Sequence, residues 1–300
     1  MSVGICVRNC EETIDEVIRS IIHQDFPHEL MELIIVDDGS TDGTLKRVKK
    51  LVSRINIRTK VYRQNWKGLG ATRNVVVQNA HGRYVIWVDG DMKLPRDFVR
   101  RQVEFMDIRP KVGAAKGRYK ILESKNLVAT LENARALYLQ SSSSKLVGTG
   151  GSIYRVKAIK EAGGFDERIK GAGEDIDALI RMREKGWLLS TTNAEFYEQF
   201  KETVSELWLQ YCWWGYGAHY VHHKHKHAIS VVARLLPVAF LIGIFRFFRA
   251  YRSYHKLTYL LLPFHNALKE TAWCVGFIKS HVDGYGYSNK QDANAGRKSV

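Results

Sequence analysis

The stretch Tyr84-Val85-Ile86-Trp87-Val88-Asp89-Gly90-Asp91 constrains this chain most: an apolar run suited to a buried strand stops abruptly in two carboxylates. Side chains alternate faces along a strand, so Asp89 and Asp91 are expected to leave its end on one side, with Gly90 permitting a tight turn between them. In an open α/β sheet, ligands collect at the carboxyl ends of strands, and hard oxygen donors there suit Mg²⁺ or Mn²⁺ carrying a substrate phosphate. Asp and Gly are also ordinary turn residues, so this stretch alone leaves a solvated turn equally open.

The pattern has a counterpart upstream. Met1-Ser2-Val3-Gly4-Ile5-Cys6-Val7 reads as a strand, and Ile14, Val17, Ile18, Ile21 and Ile22 place an amphipathic helix over about 12–23. Leu33-Ile34-Ile35-Val36 reads as a strand covered on both faces, ending in Asp37-Asp38-Gly39-Ser40-Thr41-Asp42. Thr41 or Asp42 can cap the next helix, which carries Leu45, Val48, Leu51 and Val52, but a cap needs one residue and three aspartates are present. A strand near 60–63, a turn at Gly68-Leu69-Gly70 and a helix from about 71 to 80 complete a third unit. Successive βα units with short loops predict an α/β fold whose central sheet is mostly parallel and flanked by helices. Neither G-x-G-x-x-G nor G-x-x-x-x-G-K-[ST] occurs, so a metal rather than a glycine loop is expected to hold phosphates.

With Val36-Asp37-Asp38-Gly39-Ser40-Thr41-Asp42-Gly43-Thr44 followed by Asp89-Gly90-Asp91, the chain resembles the family 2 glycosyltransferases of GT-A fold. Gly148-Thr149-Gly150-Gly151-Ser152, Ala162-Gly163-Gly164-Phe165-Asp166-Glu167 and Gly173-Glu174-Asp175 extend the resemblance over roughly residues 1 to 220. It implies that Asp38, beside Asp37, hydrogen-bonds the nucleotide base, that Asp89 lies by ribose and metal, that Asp91 binds the metal on the diphosphate, and that Arg73 sits near the nucleotide. It also implies a UDP- or GDP-sugar donor, a Mg²⁺ or Mn²⁺ cofactor, inversion at the anomeric carbon, and Asp175 of the pair Glu174-Asp175 as catalytic base. Physical chemistry supports such a set: a divalent cation neutralises the leaving diphosphate, and the acceptor hydroxyl needs a base. The same acids also suit a helix N-terminus. Two departures stand out. Glu198 and Gln199 follow Ala194-Glu195-Phe196-Tyr197 where many relatives carry a histidine, leaving the third metal ligand open, and Trp213 replaces the arginine of the Q-x-x-R-W element of processive synthases.

The expected organisation is a GT-A-like domain over 1–228, with a nucleotide-binding half at 1–115 and an acceptor half at 116–228, then a helical membrane-surface segment at 229–283 and a polar tail at 284–300. The acceptor half includes a strand at Val112-Gly113-Ala114-Ala115-Lys116, a helix over 127–139 with Leu131, Ala134 and Tyr138 on one face, and a flexible loop at 141–144. Trp213, Trp214, Tyr216 and Tyr220 fit core packing, sugar stacking or a membrane interface. His219, His222, His223, His225 and His227, mixed with Lys224 and Lys226, read as a solvated basic connector, because the alternation offers no fixed tetrahedral ligand set. The apolar run 235–245, flanked by Arg234, Arg246, Arg249 and Arg252, is too short to span a bilayer. The segment 257–278 carries His265, Asn266, Lys269 and Glu270 and is expected to lie along an interface; Trp273, Tyr251, Tyr254 and Tyr259 in and around the two segments suit interfacial helices, and packing as ordinary core helices or a dimer interface is the other reading.

Composition adds boundaries. At 300 residues and 45% hydrophobic the chain can bury a sizeable core, and a formal net charge of +15 suits phosphorylated partners without choosing among them. Cys6, Cys10, Cys212 and Cys274 lack C-x-x-C spacing, and the first residues already read as a strand rather than a leader, so free thiols and the cytoplasmic side of a membrane are expected, with an anionic membrane surface as partner and a lipid-linked or glycan acceptor. The other readings are a basic nucleic-acid-binding protein, which leaves the acidic strand ends unexplained, and a glycosyltransferase-like scaffold without turnover. The expectation is no nucleic acid.

Overall fold

The computed structural model describes residues 1–120, 124–140, 148–226 and 229–284. The expected loop at 141–144, His227, the side chain of Tyr138 and the tail from 285 lie outside them.

Strand β1 (Ser2–Val7) is followed by helix α1 (Ile14–Ile22), β2 (Glu32–Asp38), α2 (Thr44–Val52), β3 (Arg58–Gln64), α3 (Leu69–Asn79) and β4 (Tyr84–Asp89). Ile14, Val17, Ile18 and Ile21 of α1 are buried, the face their helical spacing predicts. The strands feed two cores. Leu33, Ile35, Ile86 and Val88 pack on one side of the sheet, and Ile34, Val36, Val85 and Trp87 on the other. Burying each such side chain contributes about 1.5–3 kcal/mol, and with both faces covered no position is left for an alternating polar residue.

The chain continues through β5 (Met92–Lys93), α4 (Phe98–Asp107), β6 (Val112–Tyr119), α5 (Leu127–Gln140), β7 (Ser152–Arg155), α6 (Val156–Glu161), α7 (Glu174–Glu184) and β8 (Leu188–Glu198). The strand order is β3-β2-β1-β4-β7-β6-β8-β5. β3, β2, β1 and β4 pair in parallel, as do β6 and β8. β7 runs antiparallel to both β4 and β6, and β5 antiparallel to β8. The expected mostly parallel sheet is therefore corrected to a mixed one. β7 pairs antiparallel with β6, the strand before it in the chain, so no parallel crossover joins the two.

Register aligns the acidic ends. Cys6 of β1 pairs with Val36 of β2 and with Asp89 of β4, so Asp37, Asp38 and Asp89 emerge at the same edge of three adjacent strands.

The second compact unit comprises α5 up to residue 138, residues 171–173 and, from residue 200, α8 (Val204–Lys224), α9 (Leu236–Tyr254) and α10 (Leu262–Val282). Thr203 caps α8: its Oγ1 accepts the Glu206 N–H at 3.2 Å and donates to the Glu206 carboxylate at 2.7 Å. α8 and α10 approach to backbone contact, because a Cβ at Gly215 would fall on the Trp273 carbonyl and one at Gly276 on that of Cys212. Glu132 of α5 is 2% exposed and accepts from Lys269 Nζ at 2.5 Å, His265 Nε2 at 2.8 Å and Tyr211 Oη at 3.3 Å. Glu270 pairs with Arg234 at 2.6 Å, and Asn266 bonds the Ala239 carbonyl at 2.5 Å.

The polar residues in the middle of α10 thus face inward, and Trp273 and Tyr259 are buried rather than interfacial. α9 continues past the apolar run 235–245, so Arg246, Arg249 and Arg252, which follow that run, belong to the same helix. Tyr211 and Tyr220 are core residues, whereas Trp213 is 39% exposed. No helix among the described residues is long and apolar enough to cross a membrane.

Candidate active site

The carboxylates of β2 are held by their surroundings. Asp38 Oδ1 accepts from Gln64 Nε2 at 2.8 Å and from the Lys67 N–H at 2.9 Å, and Oδ2 from the Gly68 N–H at 3.0 Å. Gly68 has φ +93°, a backbone conformation glycine adopts at no steric cost, so Asp38 shapes the loop that opens α3. Asp37 is fully buried, with Oδ1 accepting the Ser40 N–H at 3.2 Å and Oδ2 3.6 Å from Arg63 Nε.

The carboxylate of β4 is placed differently. Its Asp89 side chain is 40% exposed, with Oδ1 3.7 Å from Arg73 Nη2. Asp91 is half-buried in the turn to β5, and its carbonyl accepts the Gln199 N–H at 3.1 Å. Pairing of β5 with β8 sets Glu198 opposite Met92, bringing a further carboxylate-bearing residue next to the Asp91 turn.

Arg73, on α3, is 4% exposed and joins two acids, Asp89 and Glu174, with its guanidinium 5.8 Å from the centre of the Phe165 ring. A buried guanidinium needs such counter-charges. Glu174 and Asp175 open α7 but serve different surroundings, since consecutive helical residues point roughly 100° apart. Glu174 is buried against Arg73, whereas Asp175 is half-buried, with Oδ2 accepting the Thr149 N–H at 3.2 Å and Oδ1 the Ile176 N–H at 2.7 Å.

The glycines at 148–151 tie these acids together. A Cβ at Gly150 would collide with Asp89 Oδ2, and one at Gly148 would lie 2.8 Å from Asp175 Oδ2. Glycine at these two positions lets the backbone pass close to both carboxylates. Lys116, on β6, anchors this segment: its Nζ donates to the Gly148 carbonyl at 3.2 Å and to that of Gly150. Burial pushes the Lys116 pKa below its ordinary value, partly offset by Glu198, Asp89 and Asp175. Sequence reasoning placed Lys116 in a strand and gave it no part in the site. Its one signal was a lysine at the end of Val112-Gly113-Ala114-Ala115, a run otherwise small and apolar.

The donor set at the end of β4 is hard: the Asp89 carboxylate borders space that a Cβ at Gly150 would fill, and Asp91 and Glu198 lie on the adjoining turn and strand. Oxygen donors of this kind fit Mg²⁺ or Mn²⁺, which keep coordination positions for water and phosphate.

A mixed α/β sheet with acids along the edge of its parallel strands and helices on both faces defines a GT-A-like protein. The profile of Glycosyl transferase family 2 matches residues 2–162, more than half of the chain, and that of Glycosyl transferase family group 2 matches 84–275. The chain belongs to glycosyl transferase family 2, as the resemblance implied.

Among individual proteins, it is 29% identical over 185 residues to the poly(ribitol-phosphate) beta-N-acetylglucosaminyltransferase TarS of Staphylococcus aureus, covering 58% of this chain and 31% of that one. It is 39% identical over 101 residues to the putative teichuronic acid biosynthesis glycosyltransferase TuaG of Bacillus subtilis, covering 33% of this chain and 38% of the relative. The chain thus spans about a third of the length of these relatives. Among solved structures, the mannosyltransferase PcManGT of Pyrobaculum calidifontis in complex with GDP-Man and Mn²⁺ aligns with a TM-score of 0.66 at 16% identity, over 94% of this chain and 87% of that one. TarS of S. aureus in complex with UDP-GlcNAc aligns with a TM-score of 0.52 at 21% identity, over 94% and 91%. These likenesses establish the fold.

Proposed function

We propose that this glycosyltransferase moves a sugar from a UDP- or GDP-sugar to an acceptor hydroxyl or phosphate, with inversion at the anomeric carbon. The observation that carries the reading is the meeting of Asp89 and Asp175 at one glycine segment, with Lys116 anchoring it. Mannosyl- and N-acetylglucosaminyltransferase relatives, with structures containing GDP-Man and UDP-GlcNAc, support the donor class.

In this reading Asp38, with Asp37 behind it, meets the nucleotide base, and Asp89 and Asp91 would hold Mg²⁺ or Mn²⁺. Such an ion supplies charge neutralisation for the departing diphosphate. Arg73 faces Asp89 from a buried position, and Glu174 pairs with that arginine. Asp175 takes the proton from the acceptor hydroxyl as it attacks: a new oxygen–carbon bond forms on the side opposite the breaking carbon–oxygen bond, and the nucleoside diphosphate leaves. The Thr149 N–H aims the Asp175 carboxylate. The transfer machinery is assigned to residues 1–228.

The membrane part of the reading rests on α9. Leu236, Leu241, Phe245 and Phe248 are between 57% and 74% exposed, and Arg249 and Arg252 are exposed on the same helix. Apolar side chains beside arginines have the composition of a helix lying on an anionic lipid surface, which would bring the enzyme to a lipid-linked or glycan acceptor on the cytoplasmic side.

Release of nucleoside diphosphate from a panel of nucleotide sugars, with and without Mn²⁺ and with and without extracted lipids, tests the assignment. Metal-dependent release from wild type that disappears in Asp91→Asn is expected; full activity in that variant defeats the metal assignment. Cosedimentation with anionic vesicles at low salt, lost in Leu241→Glu/Phe245→Glu, is the expected membrane result. Wild type that ignores such vesicles overturns that part alone.

A further inference from the structure

The second unit holds a cluster for which sugar transfer has no use. His219 and His223 lie four residues apart on α8 and share a face. The backbone approach of α8 to α10 at Gly215 and Gly276 brings His281 to them from the far end of α10. His219 Nε2 lies 3.1 Å from His223 Nε2 and 3.3 Å from His281 Nδ1, and the three ligand atoms fall within 4.8 Å of one another.

Hydrogen bonding among the rings does not account for this convergence. The Nε2 of a neutral imidazole offers either one hydrogen or one lone pair, yet two other ring nitrogens close on it. A cation between the three removes the conflict. In tetrahedral coordination with Zn–N bonds of about 2.0–2.1 Å, ligand nitrogens stand about 3.3–3.4 Å apart, near the two short separations seen here. The third edge closes by rotation of His223 and His281, both exposed, while His219 is fully buried. The surroundings are built for a ligand. Ser280 Oγ lies 3.1 Å from His219 Nδ1, which fixes the ring and turns Nε2 toward the other two, as outer partners of metal-bound histidines do. The Phe277 ring stands edge-on 4.8 Å from His219, and an open cavity of about 640 Å³ lined in part by His222, His223 and Phe277 adjoins the cluster at His223.

We propose that His219, His223 and His281 form a three-imidazole site for a transition-metal cation of the Zn²⁺ class, clamping the end of α8 to the end of α10. The site is chemically distinct from the carboxylates of β4, because nitrogen donors select Zn²⁺, Co²⁺, Ni²⁺ or Cu²⁺ whereas carboxylate oxygens suit Mg²⁺ and Mn²⁺. The reading from sequence of a solvated connector missed it because the third ligand comes from 62 residues beyond His219.

The test uses tag-free full-length protein, stripped with a chelator and titrated with Co²⁺ above the ordinary imidazole pKa of about 6.5. About one equivalent should bind, with the visible absorption of four-coordinate cobalt. Zn²⁺ should displace it and raise Tm, while Mg²⁺ at the same concentration should do neither. His223→Ala and His281→Ala, both at exposed positions, should each abolish the cobalt spectrum with unchanged circular dichroism. Ser280→Ala should weaken affinity roughly 10-fold or more while keeping the spectrum, which marks a positioning residue. Asp91→Asn and His225→Ala should leave it intact. Absence of Co²⁺ binding by wild type, or binding that survives both His223→Ala and His281→Ala, overturns the site. No readout involves sugar transfer, so the outcome is independent of the proposed function.

Discussion

Asp89 and Asp175 of the sheet unit and Glu132 of the helical unit make opposite use of the same functional group. Asp89 stands at a strand end with its side chain 40% exposed and one loose contact to Arg73, and Asp175 receives single backbone N–H groups. Glu132, among the helices, is buried, with Lys269, His265 and Tyr211 all directed at its carboxylate. The difference teaches that a carboxylate is ready for chemistry only where folding leaves its lone pairs for a substrate. The end of β4 and the start of α7 do this, because an element's end can leave a side chain partly exposed, whereas a helix interior must satisfy every polar group it buries.

The comparison breaks first at Asp175. Asp175→Asn should lower transfer by about 10²- to 10⁴-fold while nucleotide-sugar affinity stays nearly unchanged, since the base acts on the acceptor. A stability loss of about 1 kcal/mol with unaltered kinetics would show instead that this acid only caps α7.

At Glu132 the effect should fall on stability. Glu132→Gln leaves Lys269 buried without its counter-charge, and urea unfolding should show a loss of about 3–5 kcal/mol. Pairing Glu132→Met with Lys269→Leu should recover much of that loss, because removing both partners leaves no orphan charge. Failure of the double variant to recover would mean that the group specifies the packing rather than merely neutralising itself.

Lys116 stands between the two cases, a buried cation serving the glycine segment of the site. Lys116→Met should cost about 1–3 kcal/mol by removing a donor from the Gly150 carbonyl and from that of Gly148, which keeps Ser152 Oγ, and should slow transfer as Asp89 and Asp175 lose their common support. Because folding lowers the lysine pKa from 10.5, the folded chain holds fewer protons than the unfolded one between the lowered value and 10.5. Stability contributed by this group therefore rises with pH through that window, and the rise should be absent from the Met variant in paired urea titrations.

The smallest expected effect is at Glu32, which sits at the opposite end of β2 from the site. Burial alone would raise its pKa, but bonds from Ser2 Oγ at 2.6 Å, the His81 N–H at 2.7 Å, the His81 ring and Gly82 outweigh it and hold the group below 4.5. Its contribution is thus present above 4.5 and lost as pH falls through the lowered value. Ser2→Ala should cost about 0.5–1.5 kcal/mol at neutral pH, shrinking in acid, with transfer unaffected. An equal loss at all pH values would remove Glu32 from the account.

Much of the sheet unit was legible because its signals are local. The spacing of Ile14, Val17, Ile18 and Ile21 made a helix, the unbroken Leu33-Ile34-Ile35-Val36 run made a doubly covered strand, and aspartates directly after such runs marked the edge where ligands gather. The helical unit was harder to read. His265, Asn266, Lys269 and Glu270 placed their segment along an interface, because a sequence does not show the Glu132, Arg234 and Ala239 partners that make their burial favourable.

By itself, then, the sequence determined the strand and helix runs, the acidic strand ends and the family they belong to, since each depends on neighbours a few residues away. Tertiary structure alone decided the antiparallel course of β7, the support that Lys116 gives to 148–151, the separation of Glu174 from Asp175 into buried and half-buried environments, and the arrival of His281 beside His219. All of these depend on which distant backbone passes close by, and chain connectivity leaves that open until packing closes the cores.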